Sequence, residues 1–377
     1  MAFSQKPFVR LLIAPDKFKG SLSALAAAQA IERGFRSVFP NIEVDIAPIA
    51  DGGEGFAESL GAALGAEWIT VKSQDPIGRS IDARYAWVEG QKLAVVEMSE
   101  ASGLWRLKPE ERNPLQANTS GTGVLLRDAI ARGATKILVG LGGSATTDGG
   151  IGLAHAFGYR FINDAGEYQP LPGTLDLLAA IEAPAGLKLP EIIAACDVQN
   201  PLTGDRGTAR VYAPQKGADP HTVELLEHSM RHLADVCANS LGRDFRDTPG
   251  AGAAGGLGFG LLTFCGATIR PGFDIVAETM NLEARIAAAD LVITGEGRID
   301  DQTLDGKGPA GIAQRARAAG ERVIGFGGAV TGTAEDSDIF DVLMPIADSP
   351  MTLSDAINSA SGLLERAARR AAKLISL

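Results

Sequence analysis

The chain has 377 residues, enough for two or three domains at roughly 100–200 residues each. Its 35 Lys and Arg against 46 Asp and Glu give a formal net charge of −11, which disfavours a nucleic-acid-binding face but leaves room for an anionic small substrate held by a few local cations. Three separated cysteines (Cys196, Cys237, Cys265) make neither a disulfide framework nor a zinc motif, and no apolar run reaches the roughly 18 residues of a membrane helix.

A short apolar strand, a Gly/Asp turn and an Ala-rich helix recur along the chain. Residues 9–15 read as a strand running into Asp16-Lys17-Phe18-Lys19-Gly20-Ser21, with Ser21 as N-cap of a helix reaching about Phe35. Residues 44–49 form a second strand ending at Ala50-Asp51-Gly52-Gly53-Glu54-Gly55. Residues 79–90 alternate like an antiparallel strand, and residues 93–98 form another strand. The strand at 137–140 ends in a Gly-rich turn, and the one at 192–196 ends at Asp197. Between them, four prolines break residues 170–190 and suggest a less regular second domain. Strands follow at 291–294, running into Gly295-Glu296-Gly297-Arg298-Ile299-Asp300, at 323–326, and at 342–344. Thr352 with Asp355 opens a terminal helix. The alternation predicts an α/β fold with largely parallel sheets. Arg10 and Asp16 interrupt the first apolar stretch, so no signal peptide is expected and the protein is expected to be cytoplasmic.

In open α/β sheets ligands gather beyond the carboxyl ends of the strands. Acids stand there repeatedly: Asp16, Asp51, Asp148, Asp197, Glu296 and Asp300. Lys17, Lys19, Lys216, Arg298 and Lys307 are interleaved with them. Any one Gly-Asp pair reads as a tight turn, but the series fits phosphoryl transfer, where positioning and charge stabilisation dominate. Four Gly-rich segments compete for the phosphates: residues 119–123, 140–150, 250–260 and 305–308. None is a P-loop, and close helix packing explains 250–260 equally well.

A second reading comes from Gly140-x-Gly142-x-x-Ala145, which follows a strand and matches the relaxed dinucleotide fingerprint, with Asp164 about 20 residues on as the ribose acid. It would make the protein an NAD-dependent oxidoreductase. A non-enzymatic metabolite-binding protein is a third reading. His228 and His232 lack further zinc ligands and read as a solvated helix face. The basic terminal helix has Ala neighbours and reads as packed rather than membrane-bound.

Several of these segments carry a resemblance. Ile13-Ala14-Pro15-Asp16-Lys17-Phe18-Lys19-Gly20-Ser21-Leu22 and Pro48-Ile49-Ala50-Asp51-Gly52-Gly53-Glu54-Gly55 resemble the opening of the bacterial class I glycerate kinases. So do Gly142 to Gly150, Cys196-Asp197-Val198-Gln199-Asn200-Pro201-Leu202, Pro214-Gln215-Lys216-Gly217-Ala218, residues 250–260, and residues 290–300 with Gln302-Thr303 and Gly306-Lys307. The resemblance covers essentially the whole chain. It implies phosphorylation of D-glycerate by ATP with Mg²⁺, mainly to 2-phosphoglycerate rather than 3-phosphoglycerate. It also implies two α/β domains with the active site in the interdomain cleft. One is Rossmann-like and built from residues 1–72 and 284–377; the other is an inserted mixed domain, 73–283. Thr147 stands where the family usually has Asn, and Asp301 where a small residue is common.

Under that reading Asp197 or Asp300 takes the hydroxyl proton, Asp197 and Glu296 hold Mg²⁺, and Lys17, Lys19 or Lys307 neutralises phosphoryl charge. The nucleotide falls to Lys19, Gly20, Ser21, Gly142, Gly143, Ser144, Gly255, Gly256 and Lys307. The substrate falls to Asp51, Gly52, Gly53, Asn200 and Arg298, whose guanidinium suits the glycerate carboxylate. A monomer or homodimer with a small-molecule substrate is expected, with no nucleic-acid or membrane partner.

Overall fold

The computed structural model describes residues 10–50, 53, 55–301, 303, 308–332 and 338–375. The chain clusters into two compact units. One comprises Met1–Asp51, Glu58–Gly65 and Phe273–Leu377, the other Gly52–Ala57 and Ala66–Gly272.

With strands numbered in chain order, the first unit carries β1 (Arg10–Ile13), β2 (Glu43–Ile46), β12 (Leu291–Ile299), β13 (Val323–Val330) and β14 (Val342–Pro345). They form one parallel sheet in the order β14-β13-β12-β1-β2. Parallel strands covered on both faces need near-continuous apolar runs, and Leu11, Leu12, Ile13, Val292 and Ile293 are buried accordingly. Helix Ala24–Arg36 packs against helix Ala360–Ile375, with Ile31, Phe35, Leu364 and Ala368 in the same core. The basic residues Arg366 and Arg370 of the terminal helix pair with Asp348.

Two sequence expectations change here. The N-cap of helix Ala24–Arg36 is Ser23, whose hydroxyl accepts from the Ala26 N–H, rather than Ser21. Ser21 instead closes a tight turn, its hydroxyl donating to the Phe18 carbonyl at 2.9 Å. The second change is that Gly295-Glu296-Gly297-Arg298 is not a turn. It continues β12, pairing Glu296 with Gly327 and Arg298 with Ala329. Gly297 is required by close approach, since a Cβ there would lie 2.9 Å from the Lys19 backbone nitrogen.

The second unit has a six-stranded mixed sheet ordered β11-β10-β6-β5-β4-β3. Its strands are β3 (Glu67–Gln74), β4 (Ser80–Val88), β5 (Leu93–Glu97), β6 (Lys136–Gly140), β10 (Glu191–Ala195) and β11 (Thr268–Arg270). The last four run parallel, while β4 is antiparallel to both neighbours, as its alternating sequence predicts. A separate antiparallel sheet holds β7 (Arg160–Asn163), β8 (Gly166–Tyr168) and β9 (Ala180–Glu182). Tyr85, Trp87, Phe161 and Phe259 lie in one continuous core beneath both sheets. No helix among the described residues is long and apolar enough to cross a membrane.

Candidate active site

In the second unit, the segment after β6 is a ligand-type loop rather than a helix start. Residues 141–150 precede the six-residue helix Ile151–Ala156. The loop is clamped by the neighbouring segment: Leu104 N donates to the Gly143 carbonyl at 2.8 Å, and Ala145 N donates to the Ser102 carbonyl at 2.9 Å. Gly143 is exposed at the crest, with Gly142 and Ser144 half-buried beside it. These are the loop residues that can meet a ligand.

Beneath the crest lies Asp148, fully buried. Its carboxylate accepts from Thr119 N (2.8 Å), Thr119 Oγ1 (2.7 Å), Gly150 N (3.1 Å) and Gly152 N (3.2 Å). Burial pushes its pKa up, and these hydrogen bonds oppose that. The start of helix Ser120–Ala131, a candidate phosphate seat in the sequence, is thus occupied by the protein's own carboxylate. Lys216 is also buried, at 1% exposure. Its ammonium donates to Ser144 Oγ at 2.8 Å and to the Thr146 carbonyl at 2.5 Å. Burial pulls its pKa down to about 7, against the attraction of Asp148.

Asp197 follows β10 half-buried, with Oδ1 accepting from Gly272 N at 3.3 Å. Asn200 is committed to its own loop. Its Nδ2 donates to the Arg206 carbonyl at 2.7 Å, and its Oδ1 accepts from the Tyr212 hydroxyl at 2.9 Å. Gly255 and Gly256 are buried with φ of +72° and +85°. A Cβ on Gly255 would fall 1.8 Å from the Thr146 carbonyl oxygen, so packing against the loop is sufficient reason for glycine there.

Glu97 is absent from the residues that the sequence singles out. It ends β5, buried, and accepts from Gly55 N at 3.1 Å, Ala57 N at 3.4 Å and Ser99 Oγ at 3.1 Å. Burial raises its pKa. The strand-end rule that points to Asp197 applies equally to Glu97 and could have found it. It anchors the segment after Gly53, whose carbonyl accepts from Phe56 N. Asp51, Gly52 and Lys307 lie outside the described residues.

In the first unit, Lys17 is half-buried after β1, Lys19 and Gly20 are exposed, and Ser21 is half-buried. Asp16 Oδ1 accepts from Lys17 N at 2.6 Å. At the far end of β12, two-residue alternation puts Glu296 and Arg298 on one face. Arg298 Nε lies 3.1 Å from Asp300 Oδ2, and the Arg298 side chain is 67% exposed. The Thr303 hydroxyl donates to Glu296 Oε1 at 2.8 Å and lies 3.2 Å from the Asp300 N–H. The structure therefore gathers Glu296, Arg298 and Asp300 at one strand end. Among the described residues no three His, Cys, Asp or Glu side chains form a metal cluster. One or two carboxylates of this kind are the oxygen donors Mg²⁺ takes when substrate phosphates complete its shell, so the donor set fits.

The dinucleotide reading fails on topology. The glycines of that fingerprint should open a helix, and its acid should end the neighbouring parallel strand. Here ten residues separate Gly140 from the next helix, and Asp164 sits in the β7–β8 turn of a different, antiparallel sheet. His232 bonds the Leu178 carbonyl at 2.7 Å and His228 is exposed, so the pair builds no zinc site. A cavity of about 440 Å³, lined in part by Arg127, His155, Phe157 and Lys188, adjoins the last turn of helix Ser120–Ala131. That turn leads back to the start of β6, opposite the strand ends.

The glycerate kinase family profile matches residues 11–376. The chain is 44% identical over 375 residues to a glycerate kinase of Bacillus subtilis (strain 168), covering 98% of both chains. It is 41% identical over 380 residues to glycerate 2-kinase of Escherichia coli (strain K12), again covering 98% of both. A crystal structure from Salmonella typhimurium LT2, provisionally named glycerate kinase 2, superposes with a TM-score of 0.87 at 40% identity and 98% coverage of each chain. Matches of this length and identity leave one assignment: the chain belongs to the glycerate kinase family.

Proposed function

We propose that this protein transfers the terminal phosphoryl group of ATP to D-glycerate, at the 2-hydroxyl. The family match across residues 11–376 carries the reading. The relative named glycerate 2-kinase supports the 2-position.

In the proposed reaction the glycerate hydroxyl oxygen forms a bond to the γ-phosphorus, the bond from that phosphorus to the bridging oxygen of ADP breaks, and the hydroxyl proton passes to a carboxylate. Asp300 and Asp197 are the two candidates for that base. Arg298, exposed at the end of β12, presents a planar fork that suits the glycerate carboxylate. The Gly142–Ser144 crest offers backbone N–H and hydroxyl donors to phosphoryl oxygens, and Lys17 and Lys19 supply positive charge. Glu296, with whichever of Asp197 and Asp300 does not serve as the base, would hold Mg²⁺, which when bound would screen the charge of the transferring phosphates.

A coupled ADP-release assay tests this. ADP should appear with ATP, Mg²⁺ and D-glycerate together, and release should fall to background when glycerate is omitted. Release independent of glycerate would refute the reading.

A further inference from the structure

Lys216 buries an amine under the loop that presents Gly142, Gly143 and Ser144. Lysine side chains are almost never fully buried unless paired, so the position asks for a reason. Its contacts supply one. An ammonium has three donors and no acceptor. In bonding Ser144 Oγ at 2.8 Å it occupies that oxygen as an acceptor, and in bonding the Thr146 carbonyl at 2.5 Å it pins the loop two residues on. While the amine carries its proton, the proton of the Ser144 hydroxyl cannot point back at it. Ser144 is half-buried and its neighbour Gly143 is exposed, so the open direction for that proton is the ligand side of the loop. The other charge acting on Lys216, Asp148, is spent on two N-terminal helix segments and on Thr119.

We propose that Lys216 is a positioning residue: it fixes the glycine-rich loop from below and turns the Ser144 hydroxyl outward as a donor to the terminal phosphoryl oxygens of the nucleoside triphosphate. The proposal rests on the kinase reading above. It assigns a task to a residue that the sequence marks only as one more cation among the strand ends. Lys216 touches no substrate and acts through Ser144 and the Thr146 peptide.

The test is a double-mutant cycle with Lys216→Met, Ser144→Ala and the pair, measured at about pH 6, where the amine carries its proton, by steady-state kinetics and by calorimetric titration with β,γ-imido-ATP and with ADP. Each single change should lower kcat by about 10-fold or more, as loss of an aligned donor does, with the KM for glycerate unchanged. Each should weaken the imido-ATP complex by about 5-fold and leave ADP binding alone. The pair should be no worse than the more impaired single variant, because both changes remove one donor. Ser144→Thr, which keeps a hydroxyl, should restore most of the loss. Tryptophan fluorescence checks that each variant is folded. If Lys216→Met is not, Lys216→Gln replaces it, being too short to span both partners. Multiplying effects, or a Lys216 variant with unaltered kcat and imido-ATP affinity, would overturn the proposal while leaving the kinase reading intact. Equal weakening of ADP would overturn the assignment to the terminal phosphoryl. A wild-type protein that binds no imido-ATP would overturn the kinase reading and this proposal with it.

Discussion

Replacing Lys216 with methionine should flatten the pH dependence of stability in the second unit. The buried amine holds its proton with a pKa of about 7, against an ordinary 10.5. Between those values the unfolded chain binds a proton that the folded chain does not, so folding becomes more favourable as pH rises. The full difference corresponds to about 5 kcal/mol, because each tenfold change in proton affinity is worth roughly 1.4 kcal/mol. It weighs fully against the fold below pH 7 and is relieved as pH climbs toward 10.5. Between pH 7 and pH 9 the wild type should therefore recover about 2 kcal/mol that the variant has no means to recover. All three tryptophans, Trp68, Trp87 and Trp105, lie in the second unit, so urea titrations followed by intrinsic fluorescence report this unit directly. The quantity to compare is the stability gap between variant and wild type at the two pH values. A gap that shifts by about 2 kcal/mol in favour of the wild type matches the structure. A constant gap would mean that Lys216 is solvated or permanently charged, and would refute the argument.

Further outcomes follow from the same geometry. Asp148→Asn turns an amide toward four donors that need an acceptor, and should destabilise the second unit by about 3 kcal/mol in the same urea assay. Gly255→Ala forces a Cβ into the Thr146 carbonyl, and should lower the melting temperature without regard to nucleotide. Arg298→Ala should raise the KM for glycerate by about 10-fold or more while leaving the KM for ATP nearly unchanged, and Arg298→Lys should not restore it. Of Asp197→Asn and Asp300→Asn, the variant that loses the base should fall by at least about 10²-fold in kcat. A variant with near-normal turnover removes its residue from that role.

Much of the fold is legible in the sequence, because parallel strands announce themselves as apolar runs. The strand at 291–294 is visible for this reason, but its continuation is not. Gly295 and Gly297 read as turn residues, whereas the structure uses Gly297 to let the strand pass close to the loop after β1 and Gly295 to let it pass close to Phe326 of β13. The N-cap falls two residues from its expected place because Ser21 and Ser23 are equivalent by composition, and only the Phe18–Leu22 turn separates them. The β7–β9 sheet escapes detection because its strands are only three or four residues long, too short to show an alternation, and Pro170 and Pro172 separate β8 from β9.

The candidate site is legible as a set of strand ends and not as a set of roles. Sequence cannot tell an acid that faces a ligand from one that faces its own helix. Asp148 is of the second kind, and Asn200 likewise spends its amide on its own loop. The dinucleotide fingerprint misleads because it records spacing along the chain, while the acid it needs must end an adjacent parallel strand. Lys216 is visible as a cation, but its burial beneath Ser144 depends on a contact 72 residues away in sequence.

The most direct test of the central claim is phosphorus-31 NMR of the purified protein with ATP, Mg²⁺ and D-glycerate, with L-glycerate as control. A new phosphate-ester signal split by one adjacent proton, formed from D-glycerate, is the predicted result and identifies 2-phosphoglycerate. A signal split by two protons would place the phosphate on the 3-hydroxyl and contradict the proposed position. No ester and no ADP under any divalent metal would contradict the kinase itself.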